Sequence, residues 1–255
     1  MRIREAVRKL IETTGYTIRR LPTAETPYDQ DGLTSVHNHD FMKDPDFIRA
    51  YNRGCLAAGD YHWHWRIHLG LWSAKCAAQL SGDFVECGVN RGFLSSAVME
   101  YLDWNSREST FYLLDTFEGI DLTQVAEGER QAAAERNEEH FRSGFYVRGV
   151  DSVVKNFSEW KHVKIIPGSV PGTLSQVDSD QIAWLHLDMN CAEPEVLALE
   201  YFWDRLVTGA VVLLDDYAYR GFTSQKTAID RLANRLGIAV ASLPTGQGLI
   251  LRPPH

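Results

Sequence analysis

The chain has 255 residues, of which 44% are hydrophobic and 24% charged, and a formal net charge of -8. That length suits one α/β domain with an additional segment and is enough to bury a large core. The acidic balance argues against a nucleic-acid binder, which needs a basic face, and no apolar run reaches the ~20 residues that span a bilayer.

From Arg2 to Leu21 the chain is locally basic, with Arg2, Arg4, Arg8, Lys9, Arg19 and Arg20 outnumbering Glu5 and Glu12. Ile3, Val7, Leu10 and Ile11 share one helical face, so a helix is expected from Ile3 to about Thr13, stopped by Gly15. Packing of this helix on its own domain or on a second copy of the chain is the plainer reading; docking to a partner or a membrane surface is the alternative. Residues 22–44 are polar and turn-rich, and a mobile loop is expected. From Asp46 to Leu80 the apolar spacing is helical with a break near Gly59-Asp60, which predicts two helices covering a ligand site. The expected organisation is a helical N-terminal segment and lid over 1–80 and a ligand-binding domain over 81–255.

A regular alternation follows. Apolar strand candidates lie at 83–87, 111–115, 162–166, 182–187, 210–214, 238–242 and 248–252, with helical patterns at 93–103, 148–158, 193–207 and 222–236. Strand and helix repeated in this way predict an α/β, doubly wound, mostly parallel sheet of seven strands. The last two strands are joined only by Pro244-Thr245-Gly246-Gln247-Gly248, too short for a parallel crossover, so they form an antiparallel hairpin. The acid-rich stretch Glu127–Glu139 reads as a solvated surface helix in a long insertion. Cys55, Cys76, Cys87 and Cys191 form no C-x-x-C pair and read as reduced thiols. With no apolar signal-peptide core near the first residues, a cytoplasmic protein is expected.

The first strand ends in Glu86-Cys87-Gly88-Val89-Asn90-Arg91-Gly92 and leads into a small-residue helix start. Glycines at such a turn let the backbone approach a nucleotide-like ligand. The carboxylate discriminates between ligands. Glu86 would repel the pyrophosphate of NAD but attract the ammonium and sulfonium of S-adenosylmethionine, which disfavours an oxidoreductase. The second strand ends in Asp115, 23 residues after Gly92, a spacing that suits a carboxylate on both ribose hydroxyls. Gly88, Val89, Asn90 and Gly92 belong to this cofactor turn, Thr116 directly after Asp115 is a further cofactor-binding candidate, and Ser169 after the third strand is placed to bond the adenine or its neighbourhood.

Asp188, with Asn190 beside it, ends the fourth strand, and Asp215 and Asp216 end the fifth. Three carboxylates at adjacent strand ends repel one another unless a hard cation such as Mg²⁺ joins them. The alternative is that Asp215 and Asp216 cap a loop and one carries a proton. His62, His64 and His68 fall among Trp63, Trp65 and Trp72; only His64 and His68 share a helical face, which favours packing or a lid over a zinc site. A histidine acting as general base cannot be picked from spacing alone.

These stretches resemble the macrocin O-methyltransferase family, the metal-dependent sugar O-methyltransferases of macrolide and aminocoumarin antibiotic pathways. The resemblance rests on Gly82–Gly92, Leu114-Asp115-Thr116-Phe117-Glu118-Gly119, Gly168-Ser169, Leu187-Asp188, Gly209 through Asp215-Asp216-Tyr217, and Thr245-Gly246-x-Gly248. It covers about residues 80 to 252 and implies a class I methyltransferase, Rossmann-like fold. It also implies S-adenosylmethionine as donor, Mg²⁺ held by Asp188, Asp215 and Asp216, and a small hydroxylated acceptor such as a sugar or glycosylated metabolite. A homo-oligomer is expected.

One position departs from the pattern. Where the family has a second aspartate as general base, this chain has Asn190, and an amide takes no proton. Four explanations stand: the metal alone acidifies the hydroxyl, another residue is the base, the acceptor is a phenol with a pKa of about 10, or catalysis is lost and a cofactor-binding protein remains. Phe93, where the family favours a further glycine, is a milder departure.

Overall fold

The computed structural model describes residues 28–254 together with Val7, Ile11 and 13–15. The basic helix expected from Ile3 falls almost entirely outside these described residues. The chain divides into two compact units, Met1–His39 and Asp40–His255. In the first, β1 (Tyr28–Gln30) pairs antiparallel with β2 (Leu33–Ser35). The expectation of a plain loop over 22–44 is corrected here. Asp31 and Gly32 both take positive φ, 50° and 70°, the conformation an Asp-Gly pair adopts when it closes a two-residue hairpin.

The second unit opens with a short 3-10 turn at Asp40–Lys43 and two helices, α1 (Pro45–Ala58) and α2 (His64–Ala77). Asp44 caps α1 by accepting from the Asp46 amide at 2.9 Å, with Pro45 in the first turn. Two glycines allow close packing on α3 (Phe93–Tyr101). A Cβ at Gly54 would lie 2.7 Å from the Phe93 ring, and one at Gly70 2.6 Å from Leu94. Two of the three histidines of this region pack, His64 stacking on Tyr51 at 4.5 Å and His68 on Phe41 at 4.0 Å, while His62 is exposed beside Asp60. Burial lowers the His64 and His68 imidazole pKa values.

The sheet contains β3 (Asp83–Cys87), β4 (Phe111–Asp115), β5 (Val163–Pro167), β6 (Ile182–Leu187), β7 (Leu206–Leu214), β8 (Ala241–Ser242) and β9 (Gly248–Leu251). Its order is β5-β4-β3-β6-β7-β9-β8, parallel through β7 and antiparallel at β9 and β8. The seven strands and terminal hairpin match the sequence expectation. β7 begins earlier than the apolar run suggests, because it passes through an irregularity in its pairing with β6, near Gly209 at φ 84°. The other helices are α4 (Glu127–Ser143), α5 (Asp151–Phe157), α6 (Ala192–Trp203) and α7 (Thr223–Leu236).

Apolar residues on both sheet faces build two large clusters, one centred on Phe84, Trp104, Phe111 and Trp184, the other on Leu114, Leu185, Phe202 and Val212. Chain order reverses between β3 and β6, so the crevice outside their carboxyl ends is the switch point where ligands bind in open α/β sheets. The Trp184 indole donates to Ser73 Oγ at 2.9 Å. That bond ties the second half of α2 to the middle of β6. Among the described residues no helix is long and apolar enough to cross a membrane.

Candidate active site

A cavity of about 440 Å³ opens at the carboxyl ends of the strands around the switch point. Every site residue expected from the sequence borders it except Gly92. Gly92 instead starts α3 in the left-handed region, at φ 82°, with the Phe157 ring closed over it.

The β3–β4 side is built largely from backbone. Gly88, at φ 94°, is forced by crowding: a Cβ there would fall 1.8 Å from the Asp188 carbonyl oxygen. The amides of Val89 and Asn90 donate to Asp115 Oδ2 at 2.6 and 2.7 Å, and the Phe117 amide donates to Oδ1 at 2.6 Å. Asp115 thus orders both turns and keeps about one of its roughly four acceptor sites for a ligand hydroxyl. The Asn90 side chain holds the chain after α4, donating to Phe145 O at 3.0 Å and accepting from the Val147 amide at 2.9 Å. Thr116 Oγ1 donates to Gly119 O at 2.7 Å, and Ser169 Oγ to Asp121 Oδ2 at 2.6 Å. Asp121 is a cavity residue the sequence reading missed.

Glu86 is 2% exposed. Its Oε1 pairs with His186 Nδ1 at 2.9 Å, and its Oε2 has no hydrogen-bond partner. A buried carboxylate oxygen left unpaired is costly, and a bound cationic group is the natural partner for one at a cavity wall.

The β6–β7 side is a cluster of charged side chains. Arg66, near the start of α2 and 5% exposed, forms an ion pair with Asp215 through Nη1 and Oδ2. It also donates to the Asp215 and Thr245 carbonyls at 3.0 and 3.3 Å and comes within 4.0 Å of Asp216. Gln247 Nε2 donates to Asp215 Oδ1 at 2.9 Å. His186 Nε2 lies 3.7 Å from the same oxygen, too far for a hydrogen bond. Burial alone would raise the Asp215 pKa, but Arg66, with His186 and Gln247, holds it well below the usual carboxylate range. Burial lowers the His186 pKa, yet the Asp215 and Glu86 carboxylates outweigh it and hold the imidazolium to about 10. The neighbouring acids go the other way. Burial and the Asp215 charge raise Asp188 well above its ordinary value and Asp216 to about 7. Glu195, which accepts from the Met189 amide at 3.2 Å, is raised by burial and by Asp216.

Asn190 sits at φ 55° and donates through Nδ2 to Asp188 Oδ1 at 3.3 Å. The three aspartates are right in kind for a hard cation, and the raised Asp188 and Asp216 carry the repulsion a cation would relieve. As the side chains stand, Asp215 is turned to Arg66 and Gln247. Among the described residues no three His, Cys, Asp or Glu side chains gather as a metal site.

The remaining wall refines the reading of residues 127–139 as a solvated surface helix: the helix is mostly exposed, with one edge on the cavity. Arg136 and His140 of α4 border the cavity. The helix has no continuous apolar stripe; Ala133 packs against Ile120, Val125 and Cys191, and periodicity did not mark Arg136 and His140 as facing the cavity. Adjoining it is an aromatic surface from two distant segments. Tyr61 lies 4.6 Å from Trp63 and 5.0 Å from Phe145, and His140 packs 4.8 Å from both Phe145 and Tyr146.

Comparison with known proteins agrees with this architecture. A curated relative from Streptomyces olivaceus, 8-demethyl-8-(2,3-dimethoxy-alpha-L-rhamnosyl)-tetracenomycin-C 4'-O-methyltransferase, is 28% identical over 167 residues. The match covers 62% of this chain and 60% of that relative, so it spans less than two thirds of the relative's length. Among solved structures, the O-methyltransferase NovP aligns with a TM-score of 0.62 at 23% identity, over 74% of this chain and 80% of its own. CalS11, a TDP-rhamnose 3'-O-methyltransferase of calicheamicin biosynthesis, aligns with a TM-score of 0.52 at 15% identity, over 85% and 87%. At such identities the two structures speak for the fold alone. The macrocin-O-methyltransferase family itself matches residues 73–240, about two thirds of the sequence, from β3 through β7 with all of the strand-end acids. The chain belongs to the macrocin-O-methyltransferase (TylF) family.

Proposed function

We propose that this protein is an O-methyltransferase that moves the methyl group of S-adenosylmethionine to a hydroxyl of a glycosylated small molecule. Glu86 is the observation that carries the reading: a buried carboxylate with one unpaired oxygen at the end of β3. The ammonium of the donor's methionine end satisfies that oxygen, whereas a dinucleotide pyrophosphate would meet a like charge. Asp115 takes a ribose hydroxyl on its remaining acceptor site, and Ser169 with Asp121 borders the adenine side. The acceptor lies between the aromatic surface and the aspartates. Flat apolar rings suit a sugar's C–H face or an aromatic aglycone, and the Streptomyces relative is named for a rhamnosyl acceptor. The segment from Pro45 to Ala77 serves as the cover, supplying Trp63 and Arg66 to the cavity.

Mg²⁺ belongs to the same reading, held by Asp188, Asp215 and Asp216, with Arg66 competing for Asp215. A bound divalent cation acts as a Lewis acid, able to lower the pKa of a bound water from about 15.7 to about 7. A second reading, a cofactor-binding protein without turnover, is favoured only by Asn190, whose amide serves Asp188 and cannot accept a proton.

Calorimetry with S-adenosylhomocysteine and NAD on wild type and Glu86→Gln tests the donor assignment. Wild type should bind S-adenosylhomocysteine and not NAD. Glu86→Gln should weaken binding roughly 10- to 100-fold, the worth of a hydrogen bond to a charged group. NAD binding, or equal S-adenosylhomocysteine affinity in the two proteins, would sink the assignment.

A further inference from the structure

Methyl transfer to an alcohol needs a group that takes the hydroxyl proton, and Asn190 cannot. The cavity wall contains few candidates. His186 is buried and fixed against Glu86 through Nδ1 at 2.9 Å, and its Nε2 faces Asp215, a member of the proposed metal cluster, at 3.7 Å. Asp115 is used by three backbone amides, and Asp121 is held by Ser169 and Thr123. Asp188, Asp215 and Asp216 form the proposed metal cluster. The remaining histidine on the wall is His140.

The fold holds His140 firmly and leaves its ring uncommitted. Helix α4 ends at Gly144, in the left-handed region at φ 75°, and the chain turns back so that the Tyr146 amide donates to the His140 carbonyl at 3.1 Å. Arg91 grips that turn by donating to Gly144 O at 3.1 and 2.8 Å. Asn90 bonds the backbone of Phe145 and Val147, as described above. The Phe145 and Tyr146 rings then flank the imidazole at 4.8 Å each. His140 is therefore fixed to the same β3 turn that would hold the methyl donor. Its ring nitrogens make no hydrogen bond among the described residues.

We propose that His140 is the general base of this enzyme, accepting the acceptor's hydroxyl proton in place of the aspartate that position 190 lacks. This rests on the methyltransferase reading. In the step, the acceptor O–H bond breaks and its proton moves to an imidazole nitrogen. The oxygen forms a bond to the donor's methyl carbon as the C–S bond breaks. Its electron pair stays on sulfur, so the sulfonium becomes the neutral thioether of S-adenosylhomocysteine, and the imidazolium later releases its proton to water. The ring is suited to this. Burial lowers its pKa from the ordinary 6.5, Glu139 opposes that, and Arg136 reinforces it. Tyr146 is the titratable group that faces it from the following segment, its own pKa raised by burial and then by Asp188. Arg91 is the charged group at the adjoining turn. The imidazole is thus neutral at pH 7 and able to take a proton.

The test compares wild type, His140→Asn and His140→Asn with Asn190→Asp, using S-adenosylmethionine, Mg²⁺ and a panel of rhamnosylated aromatic glycosides. His140→Asn should lower kcat roughly a hundredfold or more while leaving S-adenosylhomocysteine affinity within about twofold. The fall of kcat at acid pH should disappear with the histidine, and Asn190→Asp should restore activity in the double variant. Wild-type kcat and an unchanged pH profile in His140→Asn would overturn the proposal. A second measurement needs no acceptor. The His140 ring resonance in the S-adenosylhomocysteine complex, assigned with His140→Asn, should titrate below 6.5. A midpoint above 7 would overturn the proposal, because the ring would already be protonated. Failure of wild type to bind S-adenosylhomocysteine would instead remove the methyltransferase reading itself.

Discussion

The two sides of the cavity are built on different principles. On the β3–β4 side, backbone amides close on Asp115, and the polar groups are nearly all paired within two short turns. On the β6–β7 side, Asp188, Asp215 and Asp216 crowd together, and the cation among them, Arg66, comes from a helix some 150 residues earlier in the chain. A cradle of amides is local and self-satisfied, so a short sequence motif specifies it. A charge cluster is settled only by what other segments bring to it, so its properties depend on the whole fold.

The largest expected effect comes where the two sides touch. Gly88 belongs to the β3 turn, yet a Cβ there would meet the Asp188 carbonyl at 1.8 Å, at a φ of 94° that L-residues avoid. Gly88→Ala should destabilise the fold by on the order of 4 kcal/mol, at the upper end of single substitutions. It should also abolish S-adenosylhomocysteine binding. Denaturant unfolding and calorimetry check this; a variant within about 1 kcal/mol of wild type would mean the two sides are not rigidly joined.

The next substitution separates them. Arg66→Gln removes the buried cation and leaves Asp215 uncompensated, a loss of about 3 kcal/mol for a broken buried pair. Mg²⁺ should raise the thermal midpoint of this variant more than that of wild type, since Arg66 no longer competes for Asp215. Equal shifts would argue against metal at these aspartates. The pH dependence follows from the same cluster. Asp216 is raised in the folded protein from 3.8 to about 7, so folding favours its protonated form. That stabilisation is complete below about 3.8 and is lost as pH rises through 7. Asp188 and Glu195 shift the same way. Metal-free protein should therefore lose stability from pH 4 to pH 7, read as a falling thermal midpoint; a rising midpoint over that range would contradict it.

The same contrast decides how much could be read from the sequence. The strand-end acids Glu86, Asp115, Asp188, Asp215 and Asp216 were legible because a parallel sheet delivers the last residue of each strand to one edge. Arg66 and His186 were not, although each left a trace. Arg66 interrupts an apolar helical stretch, and His186 interrupts the run Ile182–Leu187, which is buried throughout. A polar residue inside an apolar run needs a partner, but which partner depends on topology. Helix α4 was legible as a helix, but not that Arg136 and His140 turn to the cavity, because a mostly charged helix gives periodicity little to register. The Asp31-Gly32 hairpin was readable from its turn dipeptide and lay hidden in a stretch whose average composition looked like loop.

The smallest effect tests whether the β3–β4 side extends to the turn after β5. Ser169 Oγ donates to Asp121 Oδ2 at 2.6 Å, and together with Thr123 it holds the Asp121 pKa below its ordinary value. Neither residue touches the charged cluster. Ser169→Ala removes one hydrogen bond at a partly solvated rim, worth about 1 kcal/mol, while Thr123 still donates to Asp121 through Oγ1 and its amide. S-adenosylhomocysteine affinity should fall about fivefold, with no change in the response to Mg²⁺. Unchanged affinity would confine the donor contacts to Glu86 and Asp115. An altered Mg²⁺ response would mean that the two sides are electrostatically coupled beyond their contact at Gly88, since no side chain of the Ser169 turn reaches the aspartates directly.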